Sequence, residues 1–130
     1  MIEITEFTVK YQGYDLVCYD TKKGEKTIFL LNGGPGLPCN YLREPHIQHL
    51  ANEGYRIVTY DQLGCGKSSK PKDFSLWTIE RYVEELEFIR NELNLGKFNL
   101  IGHSWGGWLG IEYSIKYQEN LNKLILENTC

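Results

Sequence analysis

Gly102-His103-Ser104-Trp105-Gly106 fits the pattern G-x-S-x-G. In that pattern the serine sits on a sharp turn between a strand and a helix, in a strained backbone conformation, and its Oγ is lifted above the sheet. The small residues two before and two after let the chain pass closely. Five residues with three fixed positions are a weak signal by themselves, and a structural Gly-Ser turn is the plain alternative. The flanks favour the first reading. Phe98-Asn99-Leu100-Ile101-Gly102 reads as a short buried strand and Trp105 to Tyr117 as a helix. The chemistry implied is acyl transfer, with Ser104 as nucleophile.

Acyl transfer also requires donors for the developing oxyanion. The backbone N–H of Trp105, directly after the nucleophile, is one. The second normally comes from the loop after the third strand, which here is Asn32-Gly33-Gly34-Pro35-Gly36. Glycine lets a backbone N–H approach substrate with no Cβ in the way. Gly34 is the favoured donor and Gly33 the fallback, and both are expected to line the substrate site. Gly34–Pro35 is a candidate cis peptide.

A third glycine-rich segment, Asp61-Gln62-Leu63-Gly64-Cys65-Gly66-Lys67-Ser68, comes close to the phosphate-binding pattern G-x-x-x-x-G-K-[ST]. Asp61 stands where the first glycine belongs, and Pro71 forbids the helix whose N-terminus would face phosphate. The dinucleotide fingerprint fails as well, with Ser69 at its third glycine. The segment is expected to be a structural loop on the rim of the active site.

The three histidines are His46, His49 and His103. His103 adjoins the nucleophile, so its side chain should project elsewhere. His46 and His49 lie three apart on a probable helix, with no further ligands to make a metal site. In this kind of site the order is Ser, then Asp or Glu, then His, and no histidine follows Ser104. A serine hydroxyl alone is a poor nucleophile near neutral pH. No metal or cofactor is called for.

The elements that must position these residues follow from periodicity. Glu3 to Tyr11 and Tyr14 to Asp20 alternate as strands around a Gln12-Gly13 turn. Thr27 to Leu31 is a continuous apolar run, suited to a strand covered on both faces. Tyr41 to Asn52 reads as a helix with Leu42, Ile47, Leu50 and Ala51 inward, and Tyr55 to Tyr60 as a strand. Thr78 is a plausible N-cap for an amphipathic helix carrying Ile79, Tyr82, Val83, Leu86, Ile89 and Leu93, stopped near Gly96. Leu124-Ile125-Leu126 is a last strand. Alternation of this kind predicts an α/β architecture: a mostly parallel sheet with an N-terminal antiparallel hairpin and crossover helices. Loops at the carboxyl ends of parallel strands gather on one rim, where ligands bind. The three glycine-rich loops should meet there.

Composition sets outer limits. The chain has 130 residues, 42% apolar and 24% charged, with a formal net charge of -3. That is one domain at most, with enough apolar residues for a core. Nothing favours nucleic acid or an anionic membrane surface, and no apolar run is long enough to span a bilayer. The N-terminus lacks the basic and apolar regions of a signal peptide. The four cysteines, Cys18, Cys39, Cys65 and Cys130, are scattered and read as thiols in a reducing cytoplasm.

Taken together, Gly33-Gly34-Pro35-Gly36, Asp61-Gln62-x-Gly64-x-Gly66-x-Ser68 and Gly102-x-Ser104-Trp105-Gly106-Gly107 resemble the prolyl iminopeptidases. Tyr113-Ser114-Ile115-Lys116-Tyr117-Gln118 and the Gly64-Cys65-Gly66 turn are especially similar to the archaeal tricorn-interacting aminopeptidases of that family. The resemblance implies an α/β-hydrolase sheet with a helical cap inserted later in the chain. It also implies release of an N-terminal residue, often proline, from a peptide through an acyl-enzyme. By motif match Ser104 is the nucleophile, and the N–H groups of Gly34 and Trp105 form the oxyanion hole. One departure is Asn32, where the family usually carries histidine, which alters the hydrogen bonding open to the loop. Family members run to over twice this length, and the cap and the catalytic Asp and His would lie beyond Cys130.

On that resemblance the chain is the N-terminal part of a single α/β-hydrolase domain, ending after about the sixth strand. Its apolar last strand is then an open edge that invites association. Four functional readings follow. The chain is a peptidase half that needs a separately encoded C-terminal half supplying Asp and His, or an inactive truncated remnant. Alternatively it is a non-catalytic binding domain reusing the fold, or an esterase-type hydrolase, since fold and serine turn do not fix the substrate.

Overall fold

A computed structural model of the chain describes residues 2–33 and 47–127. Strands β1 (Thr5–Tyr11) and β2 (Tyr14–Asp20) pair antiparallel. They are joined through Gln12 and Gly13, whose φ values of 54° and 84° are those of the primed turns that match the twist of a tight hairpin. Strand β3 (Lys26–Leu31) is followed by a helix α1, described over residues 47–52, and by β4 (Tyr55–Tyr60). Helix α2 (Ile79–Glu92), β5 (Phe98–His103), α3 (Trp105–Tyr117) and β6 (Leu121–Glu127) complete the order.

The six strands form one sheet in the order β1-β2-β4-β3-β5-β6. The pairs β3–β4, β3–β5 and β5–β6 are parallel, whereas β2 meets β4 antiparallel. The α/β expectation therefore holds, hairpin included. The apolar run of β3 is uninterrupted because both of its faces are covered. Phe29 and Leu31 pack with Tyr82, Val83, Leu86 and Leu109 of α2 and α3, while Ile28 and Leu30 pack with Ile47 of α1. At the far edge β6 is less covered, with Ile125 46% and Leu126 44% exposed.

Most boundaries fall within two residues of those read in the sequence, β1 for example starting at Thr5 rather than Glu3, and two differ by more. Helix α2 starts as expected, with Thr78 Oγ1 accepting from the Arg81 N–H at 3.2 Å. It ends at Glu92 rather than near Gly96, because Asn94 already takes a left-handed φ of 52°, which asparagine tolerates better than most residues. Strand β6 begins at Leu121, before its apolar core, because pairing with β5 recruits the polar Asn122 and Lys123.

The buried face of α2 also holds a charge. Glu85 is fully buried. Its carboxylate accepts from Arg81 Nη1 at 2.9 Å, from the Tyr60 hydroxyl at 3.0 Å and from the Leu63 N–H at 3.4 Å. Burial pushes the carboxyl above its usual range, and Arg81 and the Tyr60 hydroxyl oppose that shift. The neighbouring Tyr82 hydroxyl donates to the Leu63 carbonyl at 2.8 Å. Helix α2 thus grips both peptide groups of Leu63, in the loop leaving β4. Removing one member of a buried ion pair leaves the other charge uncompensated. Glu85→Gln is therefore expected to lower unfolding free energy by about 3 kcal/mol, with Arg81→Leu/Glu85→Gln recovering part of it, because no uncompensated charge then remains and the glutamine oxygen still accepts. Urea titration measures both, and a loss under about 1 kcal/mol in Glu85→Gln contradicts the assignment.

Candidate active site

Ser104 lies between β5 and α3, at φ 54° and ψ -117°. For a residue with a Cβ this is a sparsely populated conformation costing about 1–3 kcal/mol, so the surroundings must enforce it. They do so through two close approaches. A Cβ on Gly102 would overlap the Gly106 carbonyl, and a Cβ on Gly106 would overlap the carbonyl oxygens of Leu31 and Asn32. The first turn of α3 therefore lies directly against the end of β3. From the other side, the Ser104 N–H donates to the Glu127 carbonyl of β6 at 2.9 Å. The Ser104 carbonyl accepts from Gly107 and Trp108, and the side chain does not cap the helix.

Trp105 is the first residue of α3. The first N–H groups of a helix have no intrahelical acceptor and carry the positive end of its dipole. The indole of Trp105 is oriented as closely as its backbone. Its Nε1–H donates to Gln62 Oε1 at 3.0 Å, and its ring meets Tyr82 and Trp108 edge-to-face at centroid distances of 5.9 Å and 5.2 Å.

The loop after β3 is described as far as Gly33. Asn32 is fully buried, and its Nδ2 donates to the Gly33 carbonyl at 3.2 Å. Gln62 Nε2 donates to Asn32 Oδ1 at 3.0 Å and to the Asn32 carbonyl at 3.3 Å. The ends of β3, β4 and β5 thus meet at one rim, linked by side-chain hydrogen bonds. Gly34 and the Gly34–Pro35 bond lie outside the described residues, as does His46. His49 is exposed on α1, and His103 ends β5 opposite Glu127 of β6.

The loop that resembles a phosphate cradle has another architecture. Ser68 Oγ is buried, accepts from the Val17 N–H at 2.9 Å and donates to the Asp61 carbonyl. Asp61 Oδ2 accepts from the Lys67 N–H at 3.1 Å and the Tyr19 hydroxyl at 3.2 Å, and Lys67 Nζ pairs with Glu6. The carboxylate occupies the space a Gly66 side chain would need. Asp61 and Ser68 fold this loop onto β2, and the helix a phosphate site requires is replaced by a short 3-10 turn at Phe74–Leu76.

Reading by motif missed the roles of Gln62 and Glu85. Gln62 stands in a motif already singled out, but its partners are 30 and 43 residues away in sequence. For Glu85 the available signal was Arg81, one helical turn earlier.

A family model described as the alpha/beta hydrolase fold matches residues 26–130. The chain is 44% identical over 103 residues to a proline iminopeptidase of Flavobacterium johnsoniae, a match covering 78% of this chain and 34% of that protein. The crystal structure of a proline iminopeptidase from Mycobacterium smegmatis superposes with a TM-score of 0.88 at 28% identity, covering 96% of this chain and 44% of that one. An epoxide hydrolase from Vigna radiata, VrEH1, superposes with a TM-score of 0.85 at 28% identity, covering 95% and 39%. In each case the chain spans less than half of the protein it matches.

The strain at Ser104 can be measured. Glycine adopts positive φ without the Cβ penalty, whereas alanine keeps that penalty and only loses Oγ. Ser104→Gly is expected to be more stable than Ser104→Ala by about 1 kcal/mol in urea unfolding. Equal stabilities, or a more stable alanine variant, contradict an enforced strained turn.

Proposed function

Because the chain belongs to the α/β-hydrolase fold family, we propose that it supplies the nucleophile and oxyanion donors of a serine hydrolase of the proline iminopeptidase type. In this reading Ser104 Oγ attacks the carbonyl carbon of a peptide's first residue, often proline. The C–N bond breaks, an acyl-enzyme forms and the shortened peptide leaves. Water then releases the residue and restores the hydroxyl. Negative charge that collects on the carbonyl oxygen in each step is met by the N–H of Trp105 and by one from Gly34, or Gly33 in its place.

The reading rests most on the strained Ser104 turn, with α3 pressed against the Leu31–Asn32 backbone. Proline iminopeptidases among the relatives support the substrate class. The general base remains to be supplied. No histidine follows Ser104 in these 130 residues, and a serine hydroxyl needs a base to become a nucleophile. An aspartate and a histidine contributed from outside them, on a longer or a separately encoded polypeptide, would complete the site. A cytoplasmic setting fits the scattered cysteines. Cys18 is buried, and burial pushes its thiol up to about 12, so it stays protonated and inert at neutral pH.

The test is labelling with a fluorophosphonate, alongside hydrolysis of proline-β-naphthylamide, with and without the C-terminal segment of a related iminopeptidase. Labelling and turnover are expected only when the segment is present. Ser104→Ala should abolish labelling and lower kcat by roughly 10⁴-fold or more. Labelling that persists in Ser104→Ala rules out this nucleophile. Cleavage of short acyl esters with no action on the amide makes the protein an esterase.

A further inference from the structure

We propose that Gln62 is a positioning residue, whose carboxamide couples the two sides of the oxyanion hole by joining the Trp105 indole to the Asn32–Gly33 backbone. The inference rests on the roles given above to Trp105 and the glycine loop, and adds the part that sets their spacing.

The two donors come from different elements. One is at the start of α3 and the other is in the loop after β3. Their separation must suit a single oxygen, with each N–H about 2.7–3.1 Å from it. Pairing of β3 with β5 holds the two elements together, and contact between Gly106 and the Leu31–Asn32 carbonyls limits how near they come. The hydrogen bonds through Gln62 add a direct link between the Trp105 side chain and the chain just past β3. Gln62 is 1% exposed, so water does not compete for its bonds.

The chemistry of the three groups calls for a carboxamide. An indole N–H is a donor only, and a backbone carbonyl is an acceptor only. A side chain joining them must accept at one end and donate at the other. Gln62 accepts from Trp105 Nε1 and uses its amide nitrogen on both oxygens of Asn32. The indole, having no acceptor, fixes which end of the amide faces it. Asn32 Oδ1 is then turned to Gln62, which leaves Asn32 Nδ2 to hold the Gly33 carbonyl. Glutamate could keep the indole bond but could not donate to Asn32. Leucine would keep neither. Gln62 is itself held in place, since α2 grips the next residue, Leu63, through the Glu85 carboxylate and the Tyr82 hydroxyl.

The test compares wild type, Gln62→Leu, Gln62→Glu, Trp105→Phe and Gln62→Leu/Trp105→Phe. One measurement is the ¹H–¹⁵N resonance of the Trp105 indole, assigned by its loss in Trp105→Phe. The other is kcat and KM on proline-β-naphthylamide with the base-supplying segment present. Gln62→Leu is expected to move the indole resonance and lower kcat on the order of 10- to 100-fold, with KM held within about two-fold. Gln62→Glu keeps the indole hydrogen-bonded yet loses kcat to a similar degree. The double variant is no worse than the poorer single one, because both break the same link. The proposal is overturned if Gln62→Leu keeps its kcat, if its loss lies wholly in KM, or if the two single losses multiply. Should Gln62→Leu fail to fold, Gln62→Glu and Trp105→Phe carry the same comparison. A wild-type protein without turnover sinks the hydrolase reading instead. The indole resonance then decides the link alone, supporting it if Gln62→Leu moves the signal and refuting it if not.

Discussion

Gly106 lies so close to the carbonyl oxygens of Leu31 and Asn32 that no side chain larger than hydrogen fits between them. The rest of the site depends on that approach. It fixes the first turn of α3 against the end of β3, and with Gly102 it leaves the connecting residue, Ser104, no relaxed conformation to adopt. Strain of about 1–3 kcal/mol persists there because the elements on both sides are anchored. Strand β5 is paired with β3 and β6, and α3 packs into the main core through Leu109 and Tyr113. A strained serine turn and a helix N-terminus set against the Leu31–Asn32 backbone are consequences of one close backbone contact.

Polar groups do the remaining positioning, and each acts where water is excluded. Gln62, Asn32, Asp61, Ser68 and Glu85 are all buried, and each is satisfied by groups on other elements. Burying such groups is unfavourable unless every bond is made. Three of them, Asp61, Gln62 and Ser68, lie in the loop after β4, which their bonds make a joint connecting β2, β3, α2 and α3. A phosphate-binding role needs the loop's backbone N–H groups turned outward to an anion. Here Asp61 turns the Lys67 N–H inward, so the glycines that mimic a nucleotide motif serve a fold around a carboxylate.

Much of this was legible in the sequence, where the signal is local. The apolar run before Asn32, the strand before Ser104 and the helix from Trp105 to Tyr117 are set by residues within a few positions of one another, and they fall where expected. Legibility fails where the deciding partner is distant. The end of α2 depends on whether Asn94 or Gly96 first takes a left-handed turn. The start of β6 depends on parallel pairing to Phe98, which draws in residues with no apolar pattern. Glu85 looks like a surface charge until Tyr60 and Leu63 arrive from β4 and the loop after it. Gln62 belongs to a recognisable motif, yet its purpose emerges only when β3 and α3 are brought together.

A hydroxyl raised on a strained turn has catalytic meaning only if the amide hydrogens beside it converge on one point. The decisive measurement is a crystal structure of the protein, together with the segment that activates it, after reaction with a fluorophosphonate. The phosphorus should be bonded to Ser104 Oγ, with its phosphoryl oxygen about 2.7–3.1 Å from the Trp105 nitrogen and from a nitrogen of Gly33 or Gly34. An adduct on another residue, or a phosphoryl oxygen turned toward solvent with those nitrogens out of reach, would show that the turn and the loop do not form a working site.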